Sequence, residues 1–135
     1  MKIEVRFDGT TNISQAWVKK VVSTVLRSEK VGSHSVSVLL TDNKKIRAIN
    51  KKYLGHDYAT DVISFGLDEK NFLGDVVVSV EMARQKAREL GIPFKEELAR
   101  YLVHGVLHLI GYRDKTRRDY SKMHKKQEHI LKKIV

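Results

Sequence analysis

Residues 94–114 read FKEELARYLVHGVLHLIGYRD. From Phe94 to Ile110 the spacing predicts one helix, and Leu98, Ala99, Leu102, Val103, Val106, Leu107, Leu109 and Ile110 leave it apolar nearly all round. A helix of that composition is buried rather than laid on a surface. Glu97, Tyr101, His104 and His108 interrupt it at helical spacing as a narrow polar stripe. Any fold for this chain must bury this helix and still give that stripe partners.

On the N-terminal side, KIEVRF places Ile3, Val5 and Phe7 on one face of a strand, and HSVSVLL alternates again at Val36, Val38 and Leu40. Between them a helix is expected from about Asn12, with Ile13, Trp17, Val18, Val21, Val22, Val25 and Leu26 as its apolar stripe and Asn12 with Gln15 as a capping box. Asp42 can cap a second helix whose Ile46, Ile49 and Tyr53 share a face. TDVISF and GDVVVSV are short β-branched runs joined by the polar stretch GLDEKN, which reads as a hairpin. Ser79 can cap the helix EMARQKAREL, which Gly91 ends.

After residue 114 a last helix, roughly Lys115 to Ile134, is expected to bury Tyr120, Met123, Ile130, Leu131 and Ile134. The order βαβαββααα predicts an α+β fold with a mixed, mostly parallel four-stranded sheet covered by about five helices. No repeat or linker-like stretch divides the 135 residues, so a single domain over residues 1–135 is expected.

There is no cysteine, so a metal site here must use nitrogen and oxygen ligands. MKIEVRFDG alternates where a signal peptide would be apolar, and no run is long enough to span a bilayer, so a cytoplasmic protein without a membrane partner is expected. The formal net charge of +10 favours polyanionic partners such as RNA, DNA or an acidic membrane face, and a basic surface that serves only solubility accounts for it equally well.

His104 and His108 stand at i and i+4, a spacing that projects two imidazoles toward one point. Gly111 lets the chain leave the helix through a left-handed turn and brings Asp114 back toward the same point. Two histidines and a carboxylate form a known catalytic zinc set with a fourth position for water. The two histidines and the glycine match the spacing of the metzincin proteases, in which Asp114 stands at the third histidine and Gly105 at the catalytic glutamate. That glycine disfavours peptide hydrolysis from this helix. Against the metal reading, the histidines could be core residues with hydrogen-bonded rings, and Asp114 could be the N-cap of the basic helix that follows it. His124 is the reserve third ligand if Asp114 faces away.

HGVLHLIGY, together with INKKY, TDVISF and GDVVVSV upstream in that order and a C-terminal helix containing Met123, resembles the YbeY family of bacterial endoribonucleases over nearly the whole chain. The resemblance implies a zinc-dependent, single-strand-selective ribonuclease of ribosomal RNA maturation, above all of the small-subunit RNA, and of ribosome quality control. It also implies a mixed four-stranded sheet with surrounding helices. Carried over by position, His104 and His108 are the first two metal ligands and Asp114 stands where the family has a third histidine, preceded by Arg113 where an acidic residue is usual. One Zn2+ per chain is expected, with another divalent metal as the alternative. Leu54 occupies the position of a family arginine implicated in catalysis or RNA contact, which leaves Lys51, Lys52 or His56 to substitute for it.

Asp61 and Ser64 are candidates to support the metal ligands, or else organise the turn before a buried strand. Between Lys115 and Val135, eight lysines and arginines face only Asp119 and Glu128, so Arg117 and Arg118 open a plausible phosphate track beside the metal turn. The partners expected are single-stranded RNA, ribosomal RNA or the ribosome, with a monomer favoured, and the catalytic group is a metal-bound water whose general base the sequence does not name. Two other functions compete: a non-catalytic ribosome-associated RNA-binding factor with a structural metal, and a metal-dependent hydrolase of another substrate class.

Overall fold

The computed structural model describes residues 2–9, 11–32, 34–69 and 71–135, and the side chains of all of these except residues 68 and 69. Nine elements follow one another: β1 (Lys2–Phe7), α1 (Gln15–Ser28), β2 (Ser35–Thr41), α2 (Asn43–Leu54), β3 (Val62–Glu69), β4 (Phe72–Ser79), α3 (Val80–Leu90), α4 (Phe94–Ile110) and α5 (Arg117–Leu131). The strands form one sheet in the order β1-β2-β4-β3. β1 pairs parallel with β2 and β2 parallel with β4, each pair joined through helices, whereas β3 and β4 are an antiparallel hairpin. The expected α+β order and the mostly parallel mixed sheet are the ones found.

Local boundaries differ where a competing side chain decides them. α1 is capped by Ser14, whose hydroxyl accepts from the Trp17 N–H, so the box expected at Asn12 and Gln15 does not form. Gln15 instead donates its amide to the Val5 carbonyl and ties α1 to β1. The hairpin turn is tighter than GLDEKN suggested, because β3 runs on to Glu69 and β4 starts at Phe72; Lys70 lies outside the described residues. Asp42 and Ser79 cap α2 and α3 as expected, accepting from the N–H groups of Lys45 and Met82.

One face of the sheet carries the main core. Val5, Val36, Val38, Leu40, Val76 and Val78 meet Val18, Val22 and Leu26 of α1, Leu98, Leu102 and Val106 of α4, and Met123 and Ile130 of α5. α4 touches α1, α3, α5, β3 and β4, which is why its sequence is apolar nearly all round. Among the described residues, the other face is covered by α2 and by Ala59 of the segment that follows it, around a small cluster of Ile46, Ile63 and Val77. Beside α2 that face opens into a groove of about 1030 Å3 bordered by Lys45, Lys52, Tyr53, Phe65 and Asp75. Neither His104 nor His108 borders it.

Among the described residues, no helix is long and apolar enough to cross a membrane.

Candidate metal centre

α4 is pressed unusually close to the sheet at Gly105. A Cβ there would lie 2.6 Å from Val76 Cγ1 and 3.0 Å from Val62 Cγ2, so only glycine fits without displacing the strands. Ser64 fastens the contact by donating its hydroxyl to the Gly105 carbonyl at 2.8 Å. Position 105 therefore faces the sheet, which explains why the metzincin glutamate has no counterpart there. On the same helix, His104 meets Gln127 of α5 and His108 meets the exit turn at Tyr112.

The chain leaves α4 through Gly111 at φ 120°, a conformation that side-chain-bearing residues rarely adopt. The turn returns Asp114 to the histidines: its Oδ2 lies 3.2 Å from His108 Nε2 and 3.8 Å from His104 Nε2. The two Nε2 atoms are 3.1 Å apart. Asp114 does not cap the following helix, because Thr116 does so by accepting from the Asp119 N–H. The N-cap alternative for the aspartate is thereby removed.

Hydrogen bonds on the far side of each ring fix which nitrogen is free. His108 Nδ1 lies 3.0 Å from the Tyr112 carbonyl, which can only accept, so Nδ1 carries the proton. His104 Nδ1 lies 2.8 Å from Gln127 Oε1. The amide orientation follows from its other end, where Gln127 Nε2 donates to Glu128 Oε2 at 3.0 Å. His104 Nδ1 is accordingly the donor, and both Nε2 atoms present lone pairs. Two nitrogen lone pairs and a carboxylate oxygen, all within 4.8 Å of one another, converge with no donor between them. Such a group is unfavourable when empty and suits a divalent cation.

Behind Gln127 the network continues. Arg100 grips Glu128 through Nε and Nη2 at 3.0 and 3.2 Å and also pairs with Glu97, which is buried. The Glu128 contact, ahead of the Glu97 contact, pushes the Arg100 pKa up, and the same guanidinium draws Glu128 below its ordinary value against the opposing effect of burial. Burial, with Glu97 and Asp61 nearby, pushes the Tyr101 phenol up. Burial also lowers the His104 pKa, against the bond to Gln127, and so favours the neutral ring that binds metals.

His108 has its own anchor. The Tyr112 hydroxyl donates to Glu29 at the end of α1, and Glu29 also pairs with Lys126 of α5 at 3.1 Å. Burial and this contact raise the Tyr112 pKa to about 12.

The other expected site residues fall in three places. Ser64 touches α4 as described. Asp61 accepts from the Val62 N–H and from the Thr60 hydroxyl, so it organises the entry to β3, and its charge also reaches His104. Lys51, Lys52 and His56 are exposed at the end of α2 and just beyond it, with Leu54. There Asp57 takes Arg47 at 2.8 Å and Lys51 at 3.9 Å, and His56 stacks on Tyr58. Arg117 and Arg118 are exposed in the first turn of α5. His124 is stacked on Tyr120 and does not belong to the His–His–Asp group, so the reserve ligand is not needed. Tyr120 itself is 54% exposed, against the expectation that it is buried.

Sequence reasoning missed Gln127, Arg100, Glu128, Glu29 and Tyr112. Gln127 left a signal: it sits between Met123 and Leu131 in the buried register of α5, where a polar side chain needs a partner.

The sheet order, the βαβαββααα succession and a His–His–Asp group with the geometry to hold a cation, shared by a buried helix and its exit turn, define the class: an α+β protein with a candidate metal centre. The profile described as "Endoribonuclease YbeY" matches residues 3–135, and the chain belongs to that family. It is 37% identical to endoribonuclease YbeY of Persephonella marina over 133 residues, covering 93% of this chain and 87% of that protein. Its identity to the protein of the same name from Chlorobaculum tepidum is 34% over 135 residues, covering 99% and 98%. The solution structure of TM1509 from Thermotoga maritima has the same fold, with a TM-score of 0.71 at 24% identity over 98% of this chain and 88% of that one. By its family this chain is an enzyme, a hydrolase of the endoribonuclease class, and its substrate is RNA.

Proposed function

We propose that residues 1–135 form one metal-dependent endoribonuclease domain that cuts single-stranded RNA in the cytoplasm. We further assign it to ribosomal RNA maturation, above all of the small-subunit RNA, and to ribosome quality control. The observation that carries this reading is the convergence of His104 Nε2, His108 Nε2 and Asp114 Oδ2 beside a basic helix, in a chain of the endoribonuclease YbeY family.

Zinc suits the three atoms best. A tetrahedral zinc site with bonds of about 2.0–2.1 Å has ligand–ligand edges of about 3.3 Å. The separations of 3.1 and 3.2 Å around His108 are near that value, and the 3.8 Å between His104 and Asp114 closes with a small movement of the exposed carboxylate. A zinc ion held there would polarise a phosphate oxygen and bring the pKa of water to around 7.

The chain's own residues supply orientation and charge. Gln127 and the Tyr112 carbonyl hold the Nδ1 protons, and Asp61 and Ser64 brace β3 and α4 behind the histidines. Arg117 and Arg118 in the first turn of α5, and Lys51, Lys52 and His56 at the end of α2 and just beyond it, are the exposed cations we assign to phosphates.

The purified protein loaded with zinc is expected to cut single-stranded RNA, to spare duplex RNA and to stop on chelation, with His104→Ala inactive as the control for contaminating nucleases. A cyclic phosphate on the product would identify attack by the ribose 2′-hydroxyl. RNA binding without any cleavage would instead support the ribosome-associated factor with a structural metal, a reading favoured by one observation, the exposed Leu54 where the family arginine would stand.

A further inference from the structure

α5 carries one row of side chains along its length: Arg117, Tyr120, His124, Gln127 and Leu131, spaced three or four residues apart. The inner end of the row is buried, with Leu131 3% and Gln127 6% exposed, and Gln127 holds His104. The outer end is not. Tyr120 is 54% exposed, and its ring stacks on that of the exposed His124 at 5.7 Å with only 11° between the planes.

The direction of the row says what it overlooks. Arg100 lies against Glu128 and His104 against Gln127, while Asp119 and Lys122 line one pocket with Ile110, Gly111, Tyr112 and Arg113, so the start of α5 lies beside the end of α4 and the two helices run antiparallel. Moving back along α5 from Gln127 toward Tyr120 therefore moves forward along α4 from His104 toward His108 and the turn that holds Asp114. His124 is about 4.5 Å and Tyr120 about 10.5 Å along the helix axis from Gln127. Tyr120 stands in the same row as the buried Gln127, yet it is exposed, toward the end of α5 that lies beside the exit turn of α4.

We propose that Tyr120 and His124 form a stacking platform for one unpaired RNA base at the mouth of the metal centre, with Arg117 taking the adjacent phosphate. This rests on the endoribonuclease reading and deepens it. A flat aromatic surface beside a cation is the arrangement that holds single-stranded nucleic acid without reading its sequence. It also supplies a physical reason for single-strand selectivity, since a base within a duplex is stacked on both faces and has none to offer. The other exposed stacked pair, His56 with Tyr58, lacks that placement: the anionic Asp57 lies between its members, and no described hydrogen bond joins it to the histidines.

The test is fluorescence anisotropy of a labelled single-stranded uridine oligonucleotide with the full chain, stripped of metal so that no cleavage intervenes. Zinc titration of every variant runs in parallel. Tyr120→Ala and His124→Ala are each expected to weaken RNA binding about tenfold, while Tyr120→Trp retains it and zinc affinity is unchanged in all three. An oligonucleotide made entirely of abasic nucleotides should bind wild type about as weakly as the intact one binds Tyr120→Ala, and should not distinguish the two proteins. Wild-type binding that is tight but indifferent to Tyr120→Ala, to His124→Ala or to loss of the bases would overturn the platform and leave the endoribonuclease reading standing. If wild type binds no single-stranded RNA at all, that reading fails and the platform falls with it.

Discussion

The two halves of the His–His–Asp group are built differently. His104 and His108 project from a helix packed on all sides, and each ring is held from behind by a separate partner: an amide from α5 for one, a carbonyl of the exit turn for the other. Asp114 sits on the exposed turn, and its described contacts are to the two histidines alone. The helix half is organised by folding, and its tautomers are set before a cation arrives. The turn half gains its partner only at the site itself. A preorganised ligand loses little freedom on binding, whereas a flexible one must be ordered, so the two halves should fail differently.

The largest expected effect is on metal affinity. His108→Ala should abolish one-to-one zinc binding by calorimetry, and Asp114→Ala should weaken it by about tenfold or more, the scale of lost metal-shell contacts. Asp114→Ala should leave the metal-free protein within about 0.5 kcal/mol of wild-type stability, as for an exposed surface substitution. A large loss of stability in that variant would mean that the turn half is structural and break the contrast.

Next comes Gln127→Leu, which keeps the size of the side chain but removes the acceptor. Zinc affinity is expected to fall about tenfold. Nitrogen NMR of the metal-free protein should show the His104 ring shift from its Nδ1–H form to a mixture, with His108 unmoved. An unchanged tautomer would sink the assignment of Gln127 as the group that positions His104.

Tyr112→Phe sharpens the comparison from the other side. It removes the hydroxyl bond to Glu29 and should cost about 1.5–3 kcal/mol in urea unfolding, the range for a hydrogen bond to a charged group. It should change zinc affinity less than Gln127→Leu does, because His108 is held by the Tyr112 carbonyl, which the substitution keeps in place through the Tyr112 N–H to Leu107 bond.

The smallest effect is on pH dependence. Burial lowers the His104 pKa in the folded protein, so below the ordinary histidine value of about 6.5 the unfolded chain binds more protons than the folded one. Stability of the metal-free protein should therefore be full above that value and fall as pH drops through it, down to the lowered folded pKa. Urea midpoints at pH 7.5 and 5.5 test the sign, and His104→Asn should flatten the difference.

Much of this was legible in the chain itself. Period-two alternation in KIEVRF and HSVSVLL, the caps at Asp42 and Ser79 and the unbroken apolar character of Phe94–Ile110 each depend on a few neighbouring residues, and each is found where the sequence puts it. The spacing of His104, His108, Gly111 and Asp114 is similarly local, since one helix and one turn bring the three polar side chains together. The failures have a common cause. The cap at Ser14 replaced the one expected at Asn12 because Gln15 was drawn to the Val5 carbonyl on another element. Tyr120 is exposed although Gln127 in the same row is buried, because the spacing along α5 does not say how far other elements reach along it.

What the sequence determined by itself is what short-range geometry can encode: the order of the elements, the buried helix and a pair of imidazoles on one side of it. What only the tertiary structure decided is which nitrogen of each imidazole is free, why position 105 must be glycine, and which end of α5 is exposed. Gln127 lies 23 residues from His104 and Glu29 83 residues from Tyr112. No local pattern relates residues so far apart. Their bonds exist because a packed core fixes the distance between helices to within the reach of a hydrogen bond.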